Sequence, residues 1–335
     1  MIPEEQRKKM ILLLILMTPG IPEFLTGSSQ VSTLFISPLT FFLILLVNIG
    51  MYSGGALLIR EFMIRANKGW MSVLFLGFAY GIMEEGVAVH TFFLASGNPV
   101  GSLGTYGRYA GMDWIWALGI TSFHGVYSIT LPLFLLRLAY PEYAKESMLR
   151  LGRAKGVLLI YLLDIVFANY LAVGFEGFAP SGTYYLFLIL VSAFLAAIAY
   201  TIPGDFALHR SRGETSGKRM PFLAGLLVFP IYIFYSVIVP YIFPGSPLAD
   251  VLFLLFFYLI LFRSFVVHIP GVDRDRYLLW FCTGLLVSLL FFALIEQVSL
   301  ANPLAFIPIL AAICLMRRLF RIVASRNEQI SGTAS

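Results

Sequence analysis

The sequence predicts an all-α membrane protein, a polytopic bundle of about ten transmembrane helices with both termini in the cytoplasm. The first reason is composition, because 59% of the 335 residues are hydrophobic and only 12% are charged. A soluble domain carries about 25% charged residues, so this chain has too few charges to cover a surface that faces water. The second reason is that basic residues collect in alternate loops. The hydrophobic runs are continuous, which excludes a transmembrane β-barrel.

About ten hydrophobic runs reach the roughly 20 residues that a membrane helix requires. They cover residues 9–26, 35–59, 70–95, 113–138, 155–176, 182–203, 221–243, 247–268, 276–296 and 299–322. The loops between them are short, and no long polar linker separates any two runs. The sequence therefore predicts one integral membrane domain over residues 1–335, with residues 70–176 as the core that carries the site.

The first run is interrupted, because Pro19-Gly20-Ile21-Pro22 follows the apolar stretch that starts at Met10. Basic residues followed by a short apolar core are also typical of a signal peptide. No small-x-small cleavage motif follows the apolar core, so we expect a retained, broken helix rather than a cleaved peptide.

Every lysine and arginine except Arg108 lies in the N-terminal segment, in an even-numbered loop, in the C-terminal tail or at the adjoining end of a predicted run. Basic residues concentrate in cytoplasmic loops, so this alternation predicts that both termini are cytoplasmic. The formal net charge of +5 is spread over one membrane face instead of forming a compact patch. The expected partner is therefore the lipid bilayer and not nucleic acid, and the expected location is the plasma membrane.

Ionisable side chains inside membrane spans are costly and therefore mark functional sites. Four of them lie in consecutive spans: Glu84 and Glu85 in the third, His124 in the fourth and Asp164 in the fifth. At a rise of 1.5 Å per residue, each lies about 16 to 18 Å below the outer end of its helix. The sequence therefore predicts one buried site in the outer half of the bilayer.

The third span also carries small residues in register with the acids, because Gly77, Gly81 and Glu85 recur every four residues. Small residues at this spacing allow a second helix to approach closely, so Glu85 is expected to face protein and not lipid. Asn169 lies nearer the outside, and His90 lies near the outer surface, offset from the other groups; both are expected to support the site.

The chemistry of this set has three interpretations. Two adjacent carboxylates in a low dielectric are not both ionised unless a cation lies between them. Glu85, His124 and Asp164 are candidate ligands for a divalent metal, such as zinc, that activates water. Without a metal, Glu84 or Glu85 is the base and His124 the acid or electrostatic stabiliser. The third interpretation is a transporter that passes a proton or a cation through the same groups.

The external loop from Ser96 to Met112 is rich in glycine and contains Tyr106 and Arg108. Glycines permit hinge motion and close backbone approach. We expect a lid that contacts the substrate through Tyr106 and Arg108, with Arg108 meeting an anionic group. The alternative is a compact loop that holds Arg108 at the lipid headgroups.

Met83-Glu84-Glu85-Gly86, followed by Phe123-His124, resembles the CPBP family of intramembrane proteases, which includes the CAAX-prenyl endopeptidases. That family carries an EExxxR motif, an FxxxH motif and a further His or Asn motif on successive membrane helices. The resemblance implies that Glu84 or Glu85 activates water and that His124 stabilises the oxyanion or binds a metal. This chain has Val89 at the arginine position and Ile120 at the phenylalanine position of those motifs. In place of a third histidine it offers Asp164 or Asn169.

These observations favour a membrane-embedded hydrolase that acts on peptide or lipid-like substrates within the membrane or outside the cytoplasm. Glu84, Glu85 and His124 are its predicted catalytic residues, and Asp164, Asn169 and His90 are its predicted supporting residues. The first alternative is a secondary transporter or cation-coupled carrier. The second is a non-catalytic assembly protein in which the buried polar groups only specify helix packing.

Overall fold

The computed structural model describes residues 2–95, 105–204, 219–242, 247–267, 274–300, 304 and 306–332. The described chain is mostly helical. Its α-helices are α1 (Glu4–Pro19), α2 (Thr33–Ile36), α3 (Pro38–Asn48), α4 (Gly54–Arg65), α5 (Trp70–Gly81), α6 (Trp114–Phe123), α7 (Leu131–Ala139), α8 (Leu151–Glu176), α9 (Gly182–Thr201), α10 (Arg219–Ile233), α11 (Val239–Ile242), α12 (Pro247–Val267), α13 (Arg274–Leu300) and α14 (Phe306–Gly332).

Several of these helices contain or end in a π-helical segment, in which the backbone turn is widened. The described segments are π1 (Gly20–Phe24), π2 (Ile49–Ser53), π3 (Ile82–Ala88), π4 (His124–Thr130) and π5 (Phe234–Ile238). The break that the sequence predicts in the first helix is π1, because proline removes a backbone donor there. π-Helical turns are rare and frequently occur at functional sites, so their positions direct attention to the region where they meet.

Among the described residues, six helices are long and apolar enough to cross a membrane: Pro38–Arg65, Trp70–Ala88, Trp114–Ala139, Leu151–Glu176, Gly182–Thr201 and Asp275–Ile295. They correspond to the second to sixth and the ninth predicted spans, which confirms a polytopic all-α architecture. The other four predicted runs fall on α1, α10, α12 and α14. Of these, α10 and α12 contain shorter apolar stretches.

The continuous helix formed by α6, π4 and α7 lies at the centre of the bundle. Of its apolar window, 78% is buried within the protein, whereas only 17% is buried in α8 and in α9. The outer surfaces of α8 and α9 are apolar and exposed, as expected for helices that face lipid. Since His124 is the first residue of π4, this arrangement puts its side chain in the interior.

A seam of glycines lets α5 pack closely against the central helix. A Cβ atom added to Gly77 would lie 2.9 Å from the Cα atom of Gly125, and one added to Gly81 would lie 3.1 Å from the carbonyl oxygen of Thr121. The predicted small-residue contact is therefore confirmed. Glu85, the third member of that register, is buried as expected.

The connection before the central helix is a short hairpin. Strand β1 (Arg108–Tyr109) pairs antiparallel with β2 (Met112–Asp113). Asp113 then caps α6, because its carboxylate accepts the backbone N–H groups of Ile115 at 3.1 Å and Trp116 at 3.0 Å. This cap fixes the start of the helix that carries His124.

Candidate functional site

His124 lies between the two adjacent glutamates. Its Nε2 atom is 2.9 Å from Oε1 of Glu85, and its Nδ1 atom is 3.0 Å from Oε2 of Glu84. Nδ1 also lies 2.9 Å from the hydroxyl of Ser128, one turn further along π4. The exposed fractions of His124, Glu84 and Glu85 are 2%, 4% and 8%. The structure therefore brings together all three predicted catalytic residues as one buried Glu–His–Glu cluster.

The widened turn of π3 carries both glutamates and is anchored by Asn169. The backbone N–H of Val89 donates to the carbonyl of Glu84 at 2.9 Å, which closes a π-helical turn. Asn169 on α8 donates from Nδ2 to the carbonyl of Val87 at 2.7 Å and contacts the Tyr185 hydroxyl of α9 at 2.9 Å. The predicted supporting residue Asn169 thus holds the π turn to two outer helices without contacting the cluster.

A second chain of hydrogen bonds reaches Glu85 from Thr91 and from Trp116 near the start of the central helix. The Thr91 hydroxyl donates to Oε2 of Glu85, and the Trp116 indole donates to the same hydroxyl at 2.9 Å. Both oxygens of Glu85 are therefore engaged, one by His124 and one by Thr91. This arrangement fixes the carboxylate relative to the Nε2 side of the imidazole.

A third carboxylate, Glu23 of π1, also belongs to the site and was not expected from the sequence. Its Oε1 atom accepts the hydroxyl of Tyr52 at 2.7 Å, and its Oε2 atom accepts the hydroxyl of Ser29 at 2.8 Å. Asn48 donates to Ser29 at 3.1 Å. The Tyr52 ring lies 5.9 Å from the His124 ring. The available signal was an acid placed directly after Pro22, within the interrupted first run.

Aromatic side chains enclose the other flank of His124. Tyr80 lies 5.9 Å from Tyr52, 6.2 Å from His124 and 6.4 Å from Tyr161, measured between ring centroids. Among the described residues, the Tyr80 hydroxyl and Oε2 of Glu84 are buried without a hydrogen-bond partner. The contact of that oxygen with His124 is an ion-pair distance without hydrogen-bond geometry. The Tyr80 hydroxyl nevertheless faces the Glu84 carboxylate, so these two groups lie beside each other.

Asp164 is buried but lies outside this cluster. Its carboxylate packs against the backbone of π2, because a Cβ atom added to Gly50 would lie 2.7 Å from Asp164 Cγ. Its Oδ2 atom has no hydrogen-bond partner among the described residues. The predicted ligand set of Glu85, His124 and Asp164 is therefore not assembled. The depth along a helix was similar, but the side chain is directed toward a different neighbour.

The group that does assemble is Glu84, Glu85 and His124, whose potential ligand atoms lie within 4.8 Å of one another. A bound zinc ion requires donors that converge to about 2.0 to 2.2 Å from one point, with a single nitrogen of each histidine. Here the two carboxylates contact different ring nitrogens, and Ser128 shares Nδ1 with Glu84. The donors thus surround the imidazole instead of converging, and this arrangement does not fit a metal.

His90 lies beyond the end of π3 in a left-handed backbone conformation, with φ of 41°. Its ring is fully buried, lies 6.0 Å from the Phe178 ring and has no hydrogen-bond partner among the described residues. Burial lowers the pKa of His90 below its ordinary value and so favours the neutral form. His90 does not contact the cluster, but its unusual turn precedes Thr91, which binds Glu85.

Arg108 and Tyr106 hold the loop before α6 to the bundle. The Arg108 guanidinium donates to the carbonyls of Leu94 at 3.1 Å, Phe93 at 2.7 Å and Gly111 at 2.9 Å. The Tyr106 hydroxyl donates to Asp250 at the start of α12. Residues 96–104 of the predicted lid lie outside the described residues. The substrate contacts expected of Arg108 and Tyr106 remain predictions.

Comparison of the chain with protein families, curated proteins and solved structures gave no match. The resemblance to CPBP proteases therefore rests on the residues that carry it, and the geometry around His124 is the basis for any statement about function.

Proposed function

We propose that this protein is a membrane-embedded hydrolase of peptide or lipid-like substrates, with ten spans, both termini in the cytoplasm and a location in the plasma membrane. The observation that carries the proposal is the burial of His124 between Glu84 and Glu85, at 3.0 and 2.9 Å. An imidazole flanked by carboxylates is an arrangement suited to moving a proton to and from a reacting water. The imidazole contacts both carboxylates directly, so the proposed chemistry uses these side chains only.

In the proposed reaction, Glu84 is the base, because its Oε2 atom is the carboxylate oxygen without a hydrogen bond. It takes a proton from water while the water oxygen bonds to the substrate carbonyl carbon and the electron pair of the C=O π bond moves onto the carbonyl oxygen. The carbonyl then re-forms as the bond from that carbon to the leaving nitrogen or oxygen breaks, and the protonated His124 delivers its proton to the leaving atom. The proton held by Glu84 finally returns to His124, which restores the starting state. Glu85, fixed by Thr91, orients the imidazole and stabilises its protonated form.

The direction of the polar contacts supports a hydrolase that opens on the outer side. They continue from Glu85 through Thr91 to Trp116, near the start of the central helix. Toward the cytoplasm, the buried residues of α7 are apolar from Leu131 to Leu136, as is the stretch from Gly54 to Ile59 in α4. A carrier needs a path to both faces, whereas a hydrolase needs one.

A carrier is the second candidate, because interrupted helices meet at the cluster. Segments π1, π2, π3 and π4 contribute Glu23, Tyr52, the two glutamates and His124, respectively. Secondary transporters bind substrates and ions where discontinuous helices meet in mid-membrane. Uptake of a labelled solute into liposomes, driven by a proton or sodium gradient and lost in Glu85→Gln, would favour this function.

Hydrolysis can be tested before the substrate is known by incubating purified protein, in bilayers made from the host's membrane extract, in ¹⁸O-labelled water. A hydrolase places one labelled oxygen in each new carboxyl group, which mass spectrometry detects in released peptides and lipids. We expect labelled products with the unaltered protein and a loss of at least about 100-fold in Glu84→Gln and His124→Gln.

The matched control is Glu176→Gln, which removes an exposed acid at the outer end of α8 and should leave labelling unchanged. Thermal unfolding of each variant establishes that the fold is retained. Equal labelling by Glu84→Gln, His124→Gln and the unaltered protein would contradict the proposed catalytic roles.

A further inference from the structure

The number of acids around His124 exceeds what the proposed hydrolysis uses. Glu23 joins Glu84 and Glu85, so three carboxylates face one imidazole. Electrostatic interactions link Glu23 to His124 and to both other glutamates. Three carboxylates and one imidazole buried together carry a net negative charge if all are ionised, and this is costly in a low dielectric. The cluster is therefore expected to hold protons.

Tyr52 connects the third acid to Glu84. Its hydroxyl donates to Oε1 of Glu23 at 2.7 Å and faces Glu84. A phenol both donates and accepts hydrogen bonds, so it can pass a proton between two carboxylates that do not touch. The ring of Tyr52 is 2% exposed, which keeps this connection away from bulk water.

Glu23 is in turn held in place from the opposite side. Ser29 donates to its second oxygen at 2.8 Å, and Asn48 donates to Ser29 at 3.1 Å. Ser29 and Asn48 are buried, with exposed fractions of 6% each. Both oxygens of the Glu23 carboxylate therefore accept hydrogen bonds, and these hydrogen bonds fix its position within π1.

We propose that Glu23, acting through the Tyr52 hydroxyl, is a positioning residue that exchanges a proton with the Glu84–His124 pair, so that the cluster takes up and releases protons as one unit. This inference deepens the proposed function and rests on it for the use of that proton. In the hydrolytic cycle the base gains a proton from water, and Glu23 supplies a place to which it can move. The titratable groups that face His124 and its carboxylates are Glu23, Tyr52, Tyr80, Glu84, Glu85, Tyr161 and Tyr232.

The test is a pH titration of His124 in the resting protein, which requires no substrate. Protein labelled with ¹⁵N-histidine is studied in lipid bilayers by solid-state NMR. The chain has four histidines, and the His124 signal is identified by its loss in His124→Gln. Removing the negative charge of Glu23 in Glu23→Gln should move the midpoint to lower pH by about one unit, because a nearby carboxylate favours the protonated imidazole.

Tyr52→Phe tests the connection and keeps the aromatic ring. It should shift the His124 midpoint by itself, and Glu23→Gln should have a smaller effect in the Tyr52→Phe background than alone, because coupled residues are not additive. Glu23→Asp retains the negative charge, so its His124 midpoint should lie close to that of the unaltered protein.

Glu176→Gln is the control and should leave the His124 midpoint unchanged. The proposal is wrong if Glu23→Gln and Tyr52→Phe both titrate as this control does. If Glu23→Gln does not fold, an unshifted His124 midpoint in Tyr52→Phe alone would show that the proposal is wrong. The titration does not measure turnover. Absence of ¹⁸O labelling would therefore contradict hydrolysis without changing the conclusion about proton exchange between Glu23 and the Glu84–His124 pair.

Discussion

Asp113 is a buried acid whose protonation affects the helix that carries His124. It caps α6 through two backbone N–H groups, yet its second oxygen has no hydrogen-bond partner among the described residues. Burial raises the pKa of Asp113 from an ordinary 3.8 to about 6. The folded state therefore binds a proton more tightly than the unfolded state, so its contribution to stability is complete below pH 4 and is lost as the pH rises through 6.

Replacing Asp113 by asparagine keeps a good cap and removes this titration. We expect the free energy of unfolding of the unaltered protein to fall by about 2 kcal/mol relative to Asp113→Asn between pH 4 and pH 7. Thermal unfolding of both proteins in the same detergent over that range measures the difference. Parallel curves would show that Asp113 is not protonated in the folded state.

Individual side chains differed in how well the sequence predicted them. Glu84, Glu85 and His124 were found because an ionisable group inside an apolar run is conspicuous. Their contact followed from similar depth and from small residues on one face. Depth alone failed for Asp164, since it does not determine the direction of a side chain around the helix axis. Glu23 was missed because an acid after a proline break looks like the end of a span.

At the scale of helical elements, the π segments explain how distant parts of the chain supply one cluster. Segments π1 to π4 each contribute a residue beside His124, and each leaves backbone groups to be satisfied by side chains, as Asn169 does for Val87. Hydrophobic periodicity predicts that a helix is present, but it does not detect one additional residue in a turn. The helices were therefore predictable from the sequence, whereas their widened turns were not.

The close contact of α5 with the central helix gives a prediction at this scale. In Gly77→Ala, the new methyl group would lie 2.9 Å from the backbone of Gly125, so the two helices must separate. We expect a loss of about 1 to 3 kcal/mol of stability and a weaker contact between Glu85 and His124. Thermal unfolding, with the His124 NMR signal as a local probe, measures both effects.

Gly156→Ala is the matched control, because the space beside Gly156 on α8 is open. Alanine favours the helix more than glycine does, so this variant should be as stable as the unaltered protein or slightly more so. A Gly77→Ala protein of equal stability would mean that the seam is looser than the structure shows.

At the scale of the whole molecule, composition and loop charge predicted a polytopic helical protein, and the described part of the chain has six helices suited to spanning a membrane. The assignment of α1, α10, α12 and α14 as further spans depends on the pattern of basic loops. That pattern also predicts the side of the membrane on which each loop lies. The loop that contains Glu142 should be cytoplasmic, and the hairpin that contains Tyr109 should lie outside.

Labelling of single cysteines in intact cells tests this topology. Tyr109 is 76% exposed, and Glu142 is also exposed, so a cysteine at either position can react from its own side. In a background with Cys282 and Cys314 replaced by alanine, a membrane-impermeant maleimide should label Tyr109→Cys in whole cells and Glu142→Cys only after the cells are opened. The reverse pattern would mean that the protein has the opposite orientation, with Thr91 and Trp116 on the cytoplasmic side of the cluster. Substrates would then have to reach the Glu–His–Glu cluster from within the cell.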